Sequence, residues 1–216
     1  MTDARHPSRD FDVASGQARA GHRLLTVGTD VSVGKMFTSL AIEKELKARG
    51  AKADFRATGQ TGIFIAGDGV SVDAVVADFI AGAAEWLTPA NDPDHWDVVE
   101  GQGSLFHASY SGVTLGLIHG SRPTALVVCH DAARTEMRGT PGVPVPDLAD
   151  CIDANERMAR MFEPGAKVYG VSVNTSSMDA AEATAYLAQL SGRLGLPAVD
   201  AVRTGVGPIV DALLGG

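Results

Sequence analysis

The stretch Gly28-Thr29-Asp30-Val31-Ser32-Val33-Gly34-Lys35-Met36 constrains the fold more than any other part of the chain. It follows the apolar run Leu24-Leu25-Thr26-Val27, which reads as a buried strand, and precedes an amphipathic segment, 37–49, which reads as a helix. A glycine-bounded loop between strand and helix, ending in Gly-Lys, is the setting of a phosphate cradle. Successive backbone N–H groups converge on the anion, the helix N-terminus adds partial positive charge, and the lysine reaches a terminal phosphate. Five residues separate the two glycines, one more than in the G-x-x-x-x-G-K-[ST] pattern. Met36 stands where that pattern has the Ser or Thr that holds Mg²⁺. The expectation is a phosphate site that lacks one metal ligand. Gly28, Thr29, Asp30, Ser32, Val33, Gly34, Lys35 and Met36 are its candidate binding residues.

Further strands are expected at 53–57, 96–100, 125–129, 168–173 and 198–202, and helices at 72–87, 113–119, 148–162 and 179–194. In 72–87, Val72, Val75, Val76, Phe79, Ile80 and Ala83 recur at helical spacing, and 125–129 has no polar interior residue, as in a central parallel strand. Strands alternating with helices predict an α/β fold, a P-loop NTPase-like parallel sheet with helices on both faces. Ligands bind such sheets at the carboxyl ends of the strands. Loops of chemical interest fall at those ends: 28–35, 58–62, 100–104, 130–138 and 174–177.

With 216 residues, 45% of them hydrophobic and 20% charged, the chain is one globular domain of ordinary size. A net charge of −8 without clustered Lys or Arg argues against a nucleic-acid surface. No apolar run approaches the ~20 residues of a membrane span, and no secretory leader is visible, so a cytoplasmic location is expected. Cys129 and Cys151 lack metal-ligand spacing and read as small core residues; Trp86 and Trp96 read as core as well. Residues 1–22 are polar, rich in small side chains and without a period, and read as an arm or linker ahead of a 23–216 domain.

The loop GTDVSVGKM resembles the GTDTxVGKT loop of dethiobiotin synthetase, extra residue included. The likeness continues in Asp97-Val98-Val99-Glu100-Gly101, similar to a strand ending in Glu-Gly in that enzyme class, and in Asn174, at the position of an adenine-reading asparagine. A closer resemblance covers nearly all of 5–207. GTDVSVGKM, ATGQTGIFIAGDGVSVDAVVADFIAGAAE, EGQGSLFHASYSGVTLGLIHGSRP and VSVNTSS are similar to the C-terminal P-loop domain of a large bacterial and archaeal family. Members are assigned as D-glutamate N-acetyltransferases that use acetyl-CoA. They carry a Rossmann-like domain ahead of the P-loop domain, and this chain begins at what resembles the connecting segment.

These resemblances imply three functional readings: an acetyl-CoA-dependent N-acetyltransferase acting on an acidic amino acid, D-glutamate; an ATP- and Mg²⁺-dependent ligase or carboxylase of the dethiobiotin synthetase type; or a nucleotide-binding regulatory module. In dethiobiotin synthetase the metal is held by the Thr after the P-loop lysine, an Asp at the end of the second strand and the Glu of Glu-Gly. Here those positions hold Met36, the carboxylate-free Thr58-Gly59-Gln60-Thr61 and Glu100. Mg²⁺ prefers carboxylates with phosphate oxygens, so the balance leans towards coenzyme A, whose acyl transfer needs no metal, and no metal site is expected. Acyl transfer to an amine requires a base and oxyanion donors. Lys35, Glu100 and His130 are the candidate catalytic residues, with His107 a weaker candidate base. Arg134 and Arg138 are candidates for a dicarboxylate, and Gln60, Thr61, Gln102 and Ser104 for neutral contacts. The apolar 113–119 helix suggests burial against a partner, hence a homodimer or higher homo-oligomer.

Overall fold

The computed structural model describes residues 10–215. Its strands are β1 (His22–Gly28), β2 (Ala53–Arg56), β3 (Trp96–Val99), β4 (Ala125–Asp131), β5 (Lys167–Asn174) and β6 (Ala198–Val199), and its helices α1 (Lys35–Ala48), α2 (Gln60–Ala66), α3 (Ile80–Leu87), α4 (Ser111–Ser121), α5 (Leu148–Arg160), α6 (Ala180–Leu194) and α7 (Gly207–Leu214). The strands form one parallel sheet in the order β2-β3-β1-β4-β5-β6. β1 lies between β3 and β4, with Leu25 level with Val99 on one side and Leu126 on the other. The order turns back at β1, so the crevice where ligands enter such sheets opens at its carboxyl end.

The two-residue period of the strands sorts their side chains between two cores. Leu24, Val98 and Val127 meet Ile42 and Leu46 of α1 and Ile209, Val210 and Leu213 of α7. Leu25, Val99, Leu126 and Val128 face the other way, into a core with residues of α3, α4, α5 and α6. This is the predicted P-loop NTPase-like arrangement, with both faces of the sheet covered.

Three local expectations are corrected. The predicted 72–87 helix is broken: short 3-10 turns occupy Val72–Ala74 and Ala77–Phe79, and only Ile80–Leu87 is α-helical. The adjacent β-branched pair Val75-Val76 has extended ψ angles of 135° and 138°, against a helical spacing that ignored their poor χ1 freedom in helices. Gln60 and Thr61, expected in a loop, begin α2. α7 was not anticipated, although Pro208 in its first turn is a start signal.

α4 buries Leu117 and Ile118 within the chain, and Gly116 and Gly120 let it approach α3. A β-carbon at Gly120 would lie 2.0 Å from the Ala81 carbonyl oxygen. Trp96 is buried and stacks on His22 at 4.5 Å. Trp86, read as core, is instead 41% exposed, its ring tilted against Phe11. Both cysteines are buried free thiols.

Of the expected arm, residues 1–9 lie outside the described residues. Residues 10–21 lie along α3 and α4. Ser15 donates through Oγ and its backbone N–H to Glu85, Arg19 donates to the Gly120 and Ser121 carbonyls, and Arg122 donates to the Gly16 carbonyl. Among the described residues no helix is long and apolar enough to cross a membrane.

Candidate phosphate-binding site

The 28–35 loop leaves β1 through Gly28, where a β-carbon would meet Val33 Cγ2 at 2.9 Å and the Cys129 carbonyl at 3.0 Å. Two residues turn left-handed, Ser32 at φ 53° and Gly34 at φ 98°. Gly34 then leads directly into α1, so the helix starts at Lys35 with its first amides unpaired by any side-chain cap. Helix start and loop together make the strand–loop–helix turn in which anion cradles are built.

Asp30 holds this loop in shape. Its carboxylate is fully buried and accepts from the Val31 N–H at 2.7 Å, the Arg138 N–H at 2.8 Å and Arg134 Nη1 at 2.9 Å. Burial alone would raise its pKa, but these bonds and the Arg134 charge outweigh it and hold the carboxyl below its ordinary value. Lys35 is buried, its ammonium donating to the Asp30 carbonyl at 2.8 Å. Burial lowers its pKa to about 8. On the β3 side, the Gly101 N–H donates to Thr26 Oγ1 at 2.9 Å, and a β-carbon at Gly101 would lie 1.6 Å from the Thr26 carbonyl oxygen. Only glycine permits that approach.

Two cavities flank the loop, and Ser32 lines both. The first, about 730 Å³, brings together Lys35, Met36, Gln60, Thr61, Glu100, Gln102 and Arg138. Glu100 Oε2 accepts from the Thr58 N–H at 2.9 Å and the Gly59 N–H at 3.1 Å. Burial raises the Glu100 pKa, against the lowering effect of those amides and of Lys35. Gln102 Nε2 donates to Thr58 Oγ1 at 3.2 Å. The second cavity, about 520 Å³, contains Val33, Gly34, Phe37, Asn174, Ser176, Asp200, Val202 and Arg203. Asn174 there accepts from the Ser176 N–H through Oδ1 and donates to Asp131 Oδ2 at 3.4 Å.

Other candidates lie outside both cavities. Arg134, expected beside Arg138 for a substrate carboxylate, is taken up by Asp30 and lies 3.7 Å from Asp131. His130 pairs its Nδ1 with Thr29 Oγ1 at 3.0 Å, and burial lowers its pKa. Ser104 is fully buried and donates to the Thr29 carbonyl, bracing the loop from below. His107 accepts the Ser109 N–H at Nδ1, which assigns its proton to Nε2, facing the Arg138 carbonyl at 3.0 Å. Both ring nitrogens are therefore engaged. Asp73 and Tyr110 of the first cavity, and Asp200 and Arg203 of the second, were not anticipated. The last two follow β6, at a strand carboxyl end, so the position rule that flagged the other loops would have found them. Tyr110 and Asp73 carry no such signal.

The Asp30 carboxylate is engaged at both oxygens and Glu100 at Oε2, while Met36 and Gln60 occupy positions expected of metal ligands. Lys35 and backbone amides are donors of the kind that a phosphate takes, whereas Met36 offers Mg²⁺ no oxygen ligand.

The chain is similar to curated relatives and to solved structures. A protein from Tritonibacter scottomollicae named D-glutamate N-acetyltransferase is 56% identical over 213 residues, 99% of this chain and 64% of its own length. One of the same name from a Pseudoalteromonas species is 50% identical, covering 97% and 63%. The chain thus spans a little under two thirds of these relatives. The crystal structure of a DUF1611 family protein from Anabaena variabilis superposes with a TM-score of 0.92 at 40% identity, over 99% of this chain and 64% of that one. Cobyrinic acid a,c-diamide synthase from Mycobacterium smegmatis, with a TM-score of 0.53 at 14% identity, covering 90% of this chain and 94% of that one, shares the fold. The family described as "Domain of unknown function (DUF1611_C) P-loop domain" matches residues 12–210, and the chain belongs to that family.

Proposed function

We propose that this chain is the cofactor-binding P-loop domain of an acetyl-CoA-dependent N-acetyltransferase acting on D-glutamate. One observation carries the reading: the cradle around Lys35 offers backbone amides and an ammonium, while its carboxylates are already hydrogen-bonded and Met36 stands at the metal position. Such a donor set binds the pyrophosphate of coenzyme A without Mg²⁺. The names of the relatives from Tritonibacter and Pseudoalteromonas support the acceptor.

Bound acetyl-CoA supplies an activated thioester acyl group. The loop amides and Lys35 hold phosphate oxygens. Glu100, whose pKa burial raises, accepts the proton that the acceptor ammonium must lose before its nitrogen can attack. Gln60 and Thr61, in the first turn of α2, offer neutral donors to a developing oxyanion. Arg138, rather than Arg134, pairs with an acceptor carboxylate, because Arg134 is committed to Asp30.

Isothermal titration with acetyl-CoA, CoA and ATP, each with EDTA and with Mg²⁺, tests the cofactor. Binding of both CoA species that ignores EDTA is expected; tight binding of ATP alone, and only with Mg²⁺, overturns the reading. An acetylation assay with D-glutamate, run beside the Tritonibacter relative, measures how much of the reaction this domain carries. Absence of product from both removes the transferase assignment.

A further inference from the structure

We propose that Arg203 is a specificity residue that reads the 3′-phosphate of the CoA ligand, an inference that rests on the proposed cofactor. The second cavity is built differently from the first. Its walls include the exposed side chains of Phe37 and Val202, with Ala201 and Val173, beside the polar Asn174, Ser176, Asp200 and Arg203. The first cavity holds the buried Lys35 and Glu100. In this reading a ligand laid across the loop, past Ser32, puts its reacting end in the first cavity beside Glu100 and its flat ring, with the sugar, against Phe37 and Val202 in the second.

Asp200 and Arg203 both line that second cavity, but only one presents a usable charge. The Asp200 carboxylate is buried and accepts from the Thr175 N–H at 3.0 Å, the Thr175 hydroxyl at 2.5 Å, the Val202 N–H at 2.9 Å and the Arg203 N–H at 3.1 Å. Four donors satisfy it, so it serves as the anchor of the 200–204 turn. That anchor fixes the Arg203 backbone. The guanidinium is in turn positioned by Nη2, which donates to the Thr175 carbonyl at 3.3 Å and the Met178 carbonyl at 2.6 Å. Nε and Nη1 enter none of these bonds. Arg203 is thus an exposed, oriented cation in a cavity wall of a chain with net charge −8. An arginine held by main-chain carbonyls has lost part of its rotamer freedom in advance and offers its charge and its remaining N–H donors to an anion at lower entropic cost. A ribose 3′-phosphate is the anion that a CoA ligand brings beside its base and that a 5′-phosphorylated adenosine lacks.

The test compares CoA with 3′-dephospho-CoA, and adenosine 3′,5′-bisphosphate with 5′-AMP, by isothermal titration on the unmodified chain and on Arg203→Gln and Arg203→Lys. The unmodified chain should prefer the 3′-phosphorylated member of each pair by about tenfold or more. R203Q should erase that preference while leaving 3′-dephospho-CoA affinity within about twofold, and R203K should retain part of it. Equal binding of CoA and 3′-dephospho-CoA by the unmodified chain overturns the assignment of Arg203 while leaving the cofactor reading intact. An R203Q variant that weakens both members equally also overturns it, because Arg203 then acts only on the fold of the turn. Failure of every CoA species to bind, with ATP binding retained, removes both readings together.

Discussion

Replacing Asp30 by alanine strips one buried acceptor from three donors at once. The Val31 N–H and Arg138 N–H lose partners at 2.7 Å and 2.8 Å, and Arg134 loses a contact at 2.9 Å. A hydrogen bond to a charged group contributes ~1.5–3 kcal/mol, and breaking a buried ion pair costs ~3–5 kcal/mol. Arg134 keeps the Val31 carbonyl at 2.5 Å, and its side chain is 18% exposed, so water compensates in part. The expected loss for D30A is therefore about 4 kcal/mol, or a fall in Tm of ~8–16 °C at the usual sensitivity of a domain this size. D30N keeps an acceptor oxygen but not the charge, and should lose about half as much. Urea denaturation followed by circular dichroism measures both. The pH dependence supplies a second check with a definite sign. The folded carboxyl lies below its ordinary value, so its contribution is complete above the unfolded pKa of about 4 and disappears as pH falls through the folded one. The gap between the unmodified chain and D30N should therefore close on acidification and stay constant from about pH 5 upward. A D30A variant within about 1 kcal/mol of the unmodified chain would refute the claim that this carboxylate organises the phosphate loop.

Three further outcomes are expected. K35A should weaken CoA binding about tenfold or more, and in the unmodified chain affinity should decline as pH rises through about 8, where the buried ammonium loses its proton; a flat titration profile to pH 9 would remove Lys35 from the contact. Met36→Thr should raise affinity for ATP only when Mg²⁺ is present, measured by titration with and without EDTA, while leaving CoA binding unchanged; an equal gain in EDTA would show that the position does not reach a metal. Gly62→Ala places a methyl 2.3 Å from Glu100 Oε2 and should push the carboxylate off the Thr58 and Gly59 amides; acetylation rate should fall as in E100Q, with CoA affinity retained, and an unaffected rate would argue against Glu100 as the proton acceptor.

Much of this was legible in the residues because it depends on near neighbours in the chain. The apolar run ending at Gly28 and the Gly34-Lys35 pair opening a helix are local facts, and together they required a strand–loop–helix unit. Alternating strand and helix patterns then implied a parallel sheet, since successive parallel strands need a crossover. What the pattern left open was decided by contacts between loops about 100 residues apart. Asp30 read as a residue of the phosphate loop, and Arg134 as a substrate clamp, until the adjacency of β1 and β4 brought them together. Burial raises the Glu100 pKa and the Thr58 and Gly59 amides oppose that rise, and those amides reach it only because β2 lies beside β3. Sequence spacing alone does not encode those pairings. They follow from the strand order, a property of the whole sheet settled by how its two faces bury their apolar side chains.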